Sequence, residues 1–450
     1  MMRKTLAQLA AILGCQVPEA AAELVVAGVA FDSREVKPQQ LFVALPGEKT
    51  DGHLFLEEAR ARGAVAALVT RPQPSLLPQL VVEDTVAALQ RLAAVERRER
   101  KLAVAAVTGS VGKTTTKAML AALLRKRFSV AETRLSRNSQ VGLPTELLNL
   151  PDDARWFVAE AGMSRAGELD RLGRFLAPDA LLYTRIGPVH LEFFPSIAAI
   201  AEAKAELIPH LASDGVLVLN AADPWQANFS SRFSGRLQRY GAVGCDLWLA
   251  RYQSLGLLGS ELQLQGPEVR LQVTLPLAGG HQAENFLAAA CLALALGVSP
   301  ESIQAAAATL APQPHRGEVH RLPQGITLVD DSYNASPMAV AAMLELLAET
   351  PGRKVAVLGE MLELGEQAEQ LHRQTGQRAQ HVCQELVAVG GANAKALAEA
   401  FGPGARWVED VAAAIPLCRA LLKAGDVVLV KGSRGVGLDR LVAVLLGEGR

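Results

Sequence analysis

The sequence predicts an α/β protein of three domains, with a doubly wound nucleotide-binding domain in the middle. Three observations carry that expectation. The chain is 450 residues long, more than a single core serves. From residue 102 onward, apolar runs of strand length alternate with helical patterns, the rhythm of a parallel sheet covered by helices. And the stretch AVAAVTGSVGKTTTKAMLAALLRK, 103–126, sets two glycines and a lysine between a strand-length apolar run and leucines at helical spacing.

Taken in order, the first hundred residues mix short strands (24–29, 41–44, 66–69 and 80–82) with helices. The N-terminal MMRKTLAQLAAILGC reads as an amphipathic first helix rather than an export signal, because its apolar part is short and broken by Gln8. A charged helix, 86–101, closes this domain (1–98) and is expected to lead into a linker. The central domain (99–312) has strand candidates at 103–107, 156–161, 180–186 and 215–220. A less regular β segment, 247–275, precedes a helix expected to start after AGGHQAEN. The proline-marked LAPQPHRGE makes a boundary, and the third domain (313–450) alternates strands at 326–330, 354–358, 385–389 and 427–430 with helices.

Composition narrows the function. With 45 basic against 46 acidic residues, the formal net charge is −1, and no lysine/arginine run suggests nucleic acid. The five cysteines are scattered and never spaced C-x-x-C, which speaks against a disulfide framework or a zinc site. The longest apolar segment, 286–298, is too short to span a bilayer.

The turn in 103–126 is where chemistry enters. Backbone N–H groups of a glycine-rich loop, together with the positive end of the helix behind it, bind phosphate. Lys113 can reach the terminal phosphates and Thr114 can ligate Mg2+. The spacing is the short G-x-x-G-K-T, Gly109 to Thr114, because the usual first glycine would fall on Val107. Glu160, ending a strand in FVAEAGMSRAGELD, stands where open α/β sheets keep their ligands and can hold Mg2+. Read alone, His190 in RIGPVHLEFFPS is more often a structural histidine, and Lys204 in AEAKAELI is a lysine on a solvated helix face.

Together these pieces resemble the Mur ligase family over essentially the whole chain. Within it, DSREVKPQQLFVALPGEKTDGHLFLEEARARGA, DDSYNASPMAVAAML and VLGEMLELGEQAEQLH look like the branch that joins D-alanyl-D-alanine to UDP-N-acetylmuramoyl-tripeptide, a cytoplasmic step of peptidoglycan precursor synthesis. The resemblance implies a UDP-sugar-binding N-terminal domain, a P-loop ATPase-like centre and a Rossmann-like C-terminal domain that brings the amine. It implies that Gly109, Ser110, Val111, Gly112, Lys113, Thr114 and Thr115 cradle ATP, and that Thr114 and Glu160 hold Mg2+. His190 would bind a second Mg2+, and Lys204 would carry a carbamate. His281 and Asn285 would complete the nucleotide site, with Arg316 and Asp331 closing over it. Asp32, Ser33 and Arg34, with Asn138, Asn334 and Lys431, would contact substrates. The expected partners are small molecules, without nucleic acid, and the chain is expected to act as a monomer.

Departures from the family pattern fall at Ser336 (Asn334-Ala335-Ser336-Pro337 for NANP), Ser139, the Ala203–Leu207 segment, and PHRGE for the usual PGR.E. Two alternatives stay open. One is a sister ligase adding a single amino acid, or a folylpolyglutamate synthetase, against which the DSR and DGH blocks stand. The other is a P-loop ATP switch that makes no bond.

Overall fold

The computed structural model describes residues 1–47, 50–134 and 137–447; Glu48 and Lys49 of the DGH block lie outside them. In the N-terminal region the strand Arg3–Thr5 pairs antiparallel with Val25–Ala27. The helix Leu6–Leu13 follows, started by a reciprocal Thr5–Gln8 capping box. Four short parallel strands, Val29–Ala30, Leu41–Val43, Ala66–Val69 and Gln79–Val81, form one sheet in that order.

The charged helix runs Thr85–Glu99, capped by the Asp84 carboxylate. It does not lead to a linker: only residues 100–102 separate it from the next strand. Its buried stripe Leu89, Leu92, Ala93 recurs at helical spacing and joins the core that holds Phe157, Leu169 and Leu172. Each buried leucine contributes about 1.5–3 kcal/mol, so the helix is a packed joint between the first two domains. Gln90 and Arg91 within the stripe and the charged run Glu96–Lys101 after it hid the pattern.

The central sheet is six parallel strands in the order Arg236–Tyr240, Val216–Asn220, Ala180–Tyr183, Ala103–Thr108, Trp156–Glu160, Val130–Glu132. The chain starts at Ala103–Thr108, builds to one side and then to the other. A crevice therefore opens at the carboxyl end of that strand. The helix Lys113–Leu124 leaves from this point and packs on the helix Gly280–Ala295. The latter begins at Gly280 instead of after AGGHQAEN, so His281 and Asn285 lie in its first two turns. Their polarity made a helical segment read as loop. An antiparallel trio, Trp248–Ser254, Ser260–Gln265 and Arg270–Leu275, accounts for the irregular β segment.

The C-terminal sheet runs Glu318–Arg321, Thr327–Asp330, Val427–Lys431, Lys354–Gly359, Glu385–Val389, Ala405–Val408, parallel except for the first strand. Alternate residues feed opposite cores. Val329, Ala356 and Leu386 face one, and Leu328, Val355 and Val387 the other. The five cysteines are free thiols. Among the described residues no helix is long and apolar enough to cross a membrane.

Candidate nucleotide and ligation site

The phosphate loop is shaped by two glycines. Gly109 has φ 142° and Gly112 φ 82°, both in the region that favours glycine. A Cβ on Gly109 would lie 1.9 Å from Thr184 Oγ1, and one on Gly112 would lie 2.3 Å from Asn285 Oδ1. Space and conformation both exclude side chains here. Ser110 ties the loop down by donating from Oγ to the Gly187 carbonyl, 3.0 Å. Lys113 Nζ donates to the carbonyls of Gly109 (2.9 Å) and Ser110 (3.2 Å), so it rests folded back over its own loop. Burial lowers its pKa, and Glu160 partly offsets this.

A cavity of about 650 Å3 opens at this loop, lined by Ser110, Val111, Gly112, Lys113, Thr114 and Thr115 and by groups from both neighbouring walls. On the central-domain side stand Asn138, Glu160 and His190. Glu160 is 2% exposed. Its Oε1 accepts from Asn138 Nδ2 at 2.7 Å, while Oε2 is buried without a partner among the described residues. An orphaned carboxylate oxygen facing a phosphate loop suits a divalent cation. His190 adopts φ 56° and its Nδ1 meets Glu363 Oε2 of the C-terminal domain, leaving Nε2 as the ring atom for a ligand. Burial lowers the His190 pKa while Glu363 works against it, which favours the neutral, ligating ring.

Lys204 lies at the end of the helix Ile197–Ala205 and does not line the cavity. It is 1% exposed, and its carbonyl accepts from Tyr183 Oη at 2.6 Å. Its pKa falls well below the usual lysine range, first through burial and then through repulsion by Lys113. Both causes favour the uncharged amine over the ammonium.

His281 and Asn285, on the helix packed beside the loop, also line the cavity, and the C-terminal domain contributes Arg316, Asp331, Asn334 and Lys431. His281 Nδ1 is buried without a partner among the described residues, and burial pulls its pKa down to about 4. The Arg316 guanidinium sits 4.2 Å from the centroid of the Tyr333 ring. Asp331 Oδ2 accepts from Lys431 Nζ at 2.5 Å, and the same ammonium donates to the Asn334 carbonyl at 2.9 Å. The residue before Arg316, His315, adopts φ 59° where the family pattern has glycine, and its Nδ1 meets Asp330 Oδ2 at 2.7 Å.

Asp32, Ser33 and Arg34 are not among the groups lining this cavity. Asp32 pairs with Arg34 at 2.7 Å, which holds its carboxyl below the usual range, and Ser33 Oγ donates to Glu58 at 2.9 Å. Their neighbour Glu35 reaches the central domain through Arg137, 2.5 Å, next to Asn138. Sequence reasoning missed Glu363, Tyr333 and Thr184. The first two stand in quoted motifs, and only the fold brings them to the site.

Three α/β units around a phosphate loop, with an orphaned carboxylate beside it and a cation-rich third domain opposite, define a nucleotide-dependent enzyme of the multidomain ligase class. The chain matches the Mur ligase family catalytic domain over residues 25–108, the Mur ligase middle domain over 107–293 and the Mur ligase glutamate ligase domain over 315–434. It is 36% identical over 455 residues to the UDP-N-acetylmuramoyl-tripeptide–D-alanyl-D-alanine ligase of Escherichia coli (strain K12), covering 100% of both chains. Among solved structures it superposes on MurF from Acinetobacter baumannii with a TM-score of 0.91 at 31% identity, covering 99% of each chain. MurF ligase from Thermotoga maritima in complex with ADP gives 0.82 at 31% identity, covering 94% of this chain and 98% of that one. The chain belongs to the Mur ligase family.

Proposed function

We propose that this chain uses ATP to join D-alanyl-D-alanine to the free carboxylate of UDP-N-acetylmuramoyl-tripeptide, in the cytoplasm and as a monomer. The observation that supports this most is one cavity presenting a phosphate loop, an orphaned carboxylate and the C-terminal motif DDSYNASP together. A carboxylate is a poor electrophile, so it needs activation before an amine can attack it. A substrate carboxylate oxygen attacks the γ-phosphorus, and ADP leaves. The amine nitrogen then attacks the acyl carbon; inorganic phosphate departs with the bridging oxygen and a proton is lost.

In this reading the loop N–H groups and Lys113 hold the phosphates, and Lys113 swings from its own carbonyls to the transferring group. Mg2+, when bound, neutralises phosphate charge and orients the reacting oxygens. Its ligands would come from Thr114, Glu160 Oε2 and His190 Nε2. Lys204 fits the carbamate role because a neutral amine adds CO2, releasing one proton and leaving an anion among cations. His281, Asn285, Arg316 and Asp331 would frame the nucleotide, and Asn138, Asn334 and Lys431 the substrates beside it. Asp32, Ser33 and Arg34 would hold the UDP end at a distance from the chemistry. Closure of the C-terminal domain keeps water from the acyl phosphate.

The test is ADP release across a panel of muramoyl precursors and amines. Release that requires both UDP-muramoyl-tripeptide and D-alanyl-D-alanine supports the proposal. Turnover indifferent to both, with nucleotide-dependent protein binding instead, would mark a switch and overturn it.

A further inference from the structure

Lys117 is a buried cation that the proposed chemistry leaves unused. It lies one turn beyond Thr114 on the helix Lys113–Leu124, is 1% exposed, and points away from the cavity. Its Nζ donates to the Thr133 carbonyl at 2.5 Å and pairs with Glu132 at 3.2 Å. Glu132 already has Arg125 at 2.8 Å, so it does not need the lysine. A lysine sealed from water is costly unless it is paired and hydrogen-bonded, and here the Thr133 carbonyl and Glu132 do both.

What it holds is the end of a strand. The edge strand Val130–Glu132 stops pairing at Glu132–Val158, two residues short of Glu160. Thr133 extends the ladder with its side chain: its N–H donates to the Val158 carbonyl at 3.0 Å, and its Oγ1 accepts the Glu160 N–H at 3.1 Å. The backbone of Glu160 is thus fixed through Thr133, while Asn138 holds Oε1 and Oε2 is left without a partner among the described residues.

We infer that Lys117 and Thr133 are positioning residues that aim Glu160 at the divalent cation, an inference resting on the proposed metal role of Glu160. They link the phosphate-loop helix to the metal carboxylate, so both halves of a metal–nucleotide site keep one geometry. Supporting groups behind metal ligands typically change metal affinity by about 10–100-fold.

The probe is Mn2+, titrated by electron paramagnetic resonance into the full chain saturated with ADP. Lys117→Met and Thr133→Val should each weaken Mn2+ binding by about 10-fold or more, while metal-free ADP binding stays within about twofold and Thr133→Ser restores Mn2+ affinity. A merely structural role would lower the melting temperature and leave Mn2+ affinity of the folded protein unchanged, and that result overturns the inference. If Lys117→Met does not fold, the Thr133→Val and Thr133→Ser pair decides. Glu160→Gln separates the two levels: wild-type Mn2+ affinity in that variant would sink the metal role of Glu160 itself.

Discussion

Gly112→Ala puts the geometry of the phosphate loop under the most direct strain. Gly112 has φ 82° and ψ −9°, and an L-residue there costs about 1–2 kcal/mol. The new Cβ would also meet Asn285 Oδ1 at 2.3 Å and Cγ at 3.2 Å, forcing that amide off its rotamer for about 0.5–1.5 kcal/mol more. The total of about 1.5–3.5 kcal/mol divides between stability and nucleotide grip; borne wholly by binding, it is about 10- to 300-fold. The assay is kcat/KM for ATP beside the melting temperature with and without ADP. Gly244→Ala is the control, since Gly244 has φ 87° but nothing within 4 Å of its Cβ position; it should lose stability alone. Gly112→Ala/Asn285→Ala should recover the share of stability lost to the clash and keep the loss due to positive φ. If Gly112→Ala matched wild type in both kcat/KM and melting temperature, the loop drawn here would be wrong.

Three further outcomes follow from the same site. Lys113→Ala should lower turnover by at least ~100-fold, the usual loss for one charge-stabilising donor, and near-normal turnover would remove the loop from the reaction. Lys204→Ala should be almost inactive and partly restored by short carboxylic acids; a fully active variant would end the carbamate reading. His281 stays neutral in the folded chain down to about pH 4, whereas the unfolded chain protonates it below about 6.5. The unfolded state then binds more protons, so the His281 contribution is complete above pH 6.5 and drains as pH falls toward 4. His281→Gln should therefore lose less melting temperature than wild type between pH 7 and 5, and equal losses would refute the assignment.

Much of this was legible where side-chain periodicity and burial agree. The runs at 66–69 and 385–389 are strands with those limits, and the strand–loop–helix around Gly109 to Lys113 stands where the apolar run and the leucines placed it. Strand ends were less readable: the runs at 156–161 and 180–186 end at Glu160 and Tyr183 because the chain turns into the crevice there. Polar residues misled twice, hiding the apolar stripe of Thr85–Glu99 and the first turns of Gly280–Ala295. The meeting of His190 with Glu363 crosses 173 residues between two domains, and no local pattern encodes it. Lys117 drew no attention in the sequence, because burial of a lysine leaves no mark in spacing. The separation of Asp32, Ser33 and Arg34 from the cavity likewise depends on how the first two domains pack.

In the proposed reaction a substrate carboxylate is phosphorylated, and an amine then displaces the phosphate from the acyl carbon. It is tested by following oxygen. UDP-N-acetylmuramoyl-tripeptide labelled with 18O in its terminal carboxylate is incubated with ATP, Mg2+ and D-alanyl-D-alanine, and the products are read by mass spectrometry. The expected products are an amide of the joined mass, unlabelled ADP, and inorganic phosphate carrying one 18O per amide formed. Label appearing in AMP, or amide formed with no label in phosphate, would contradict it.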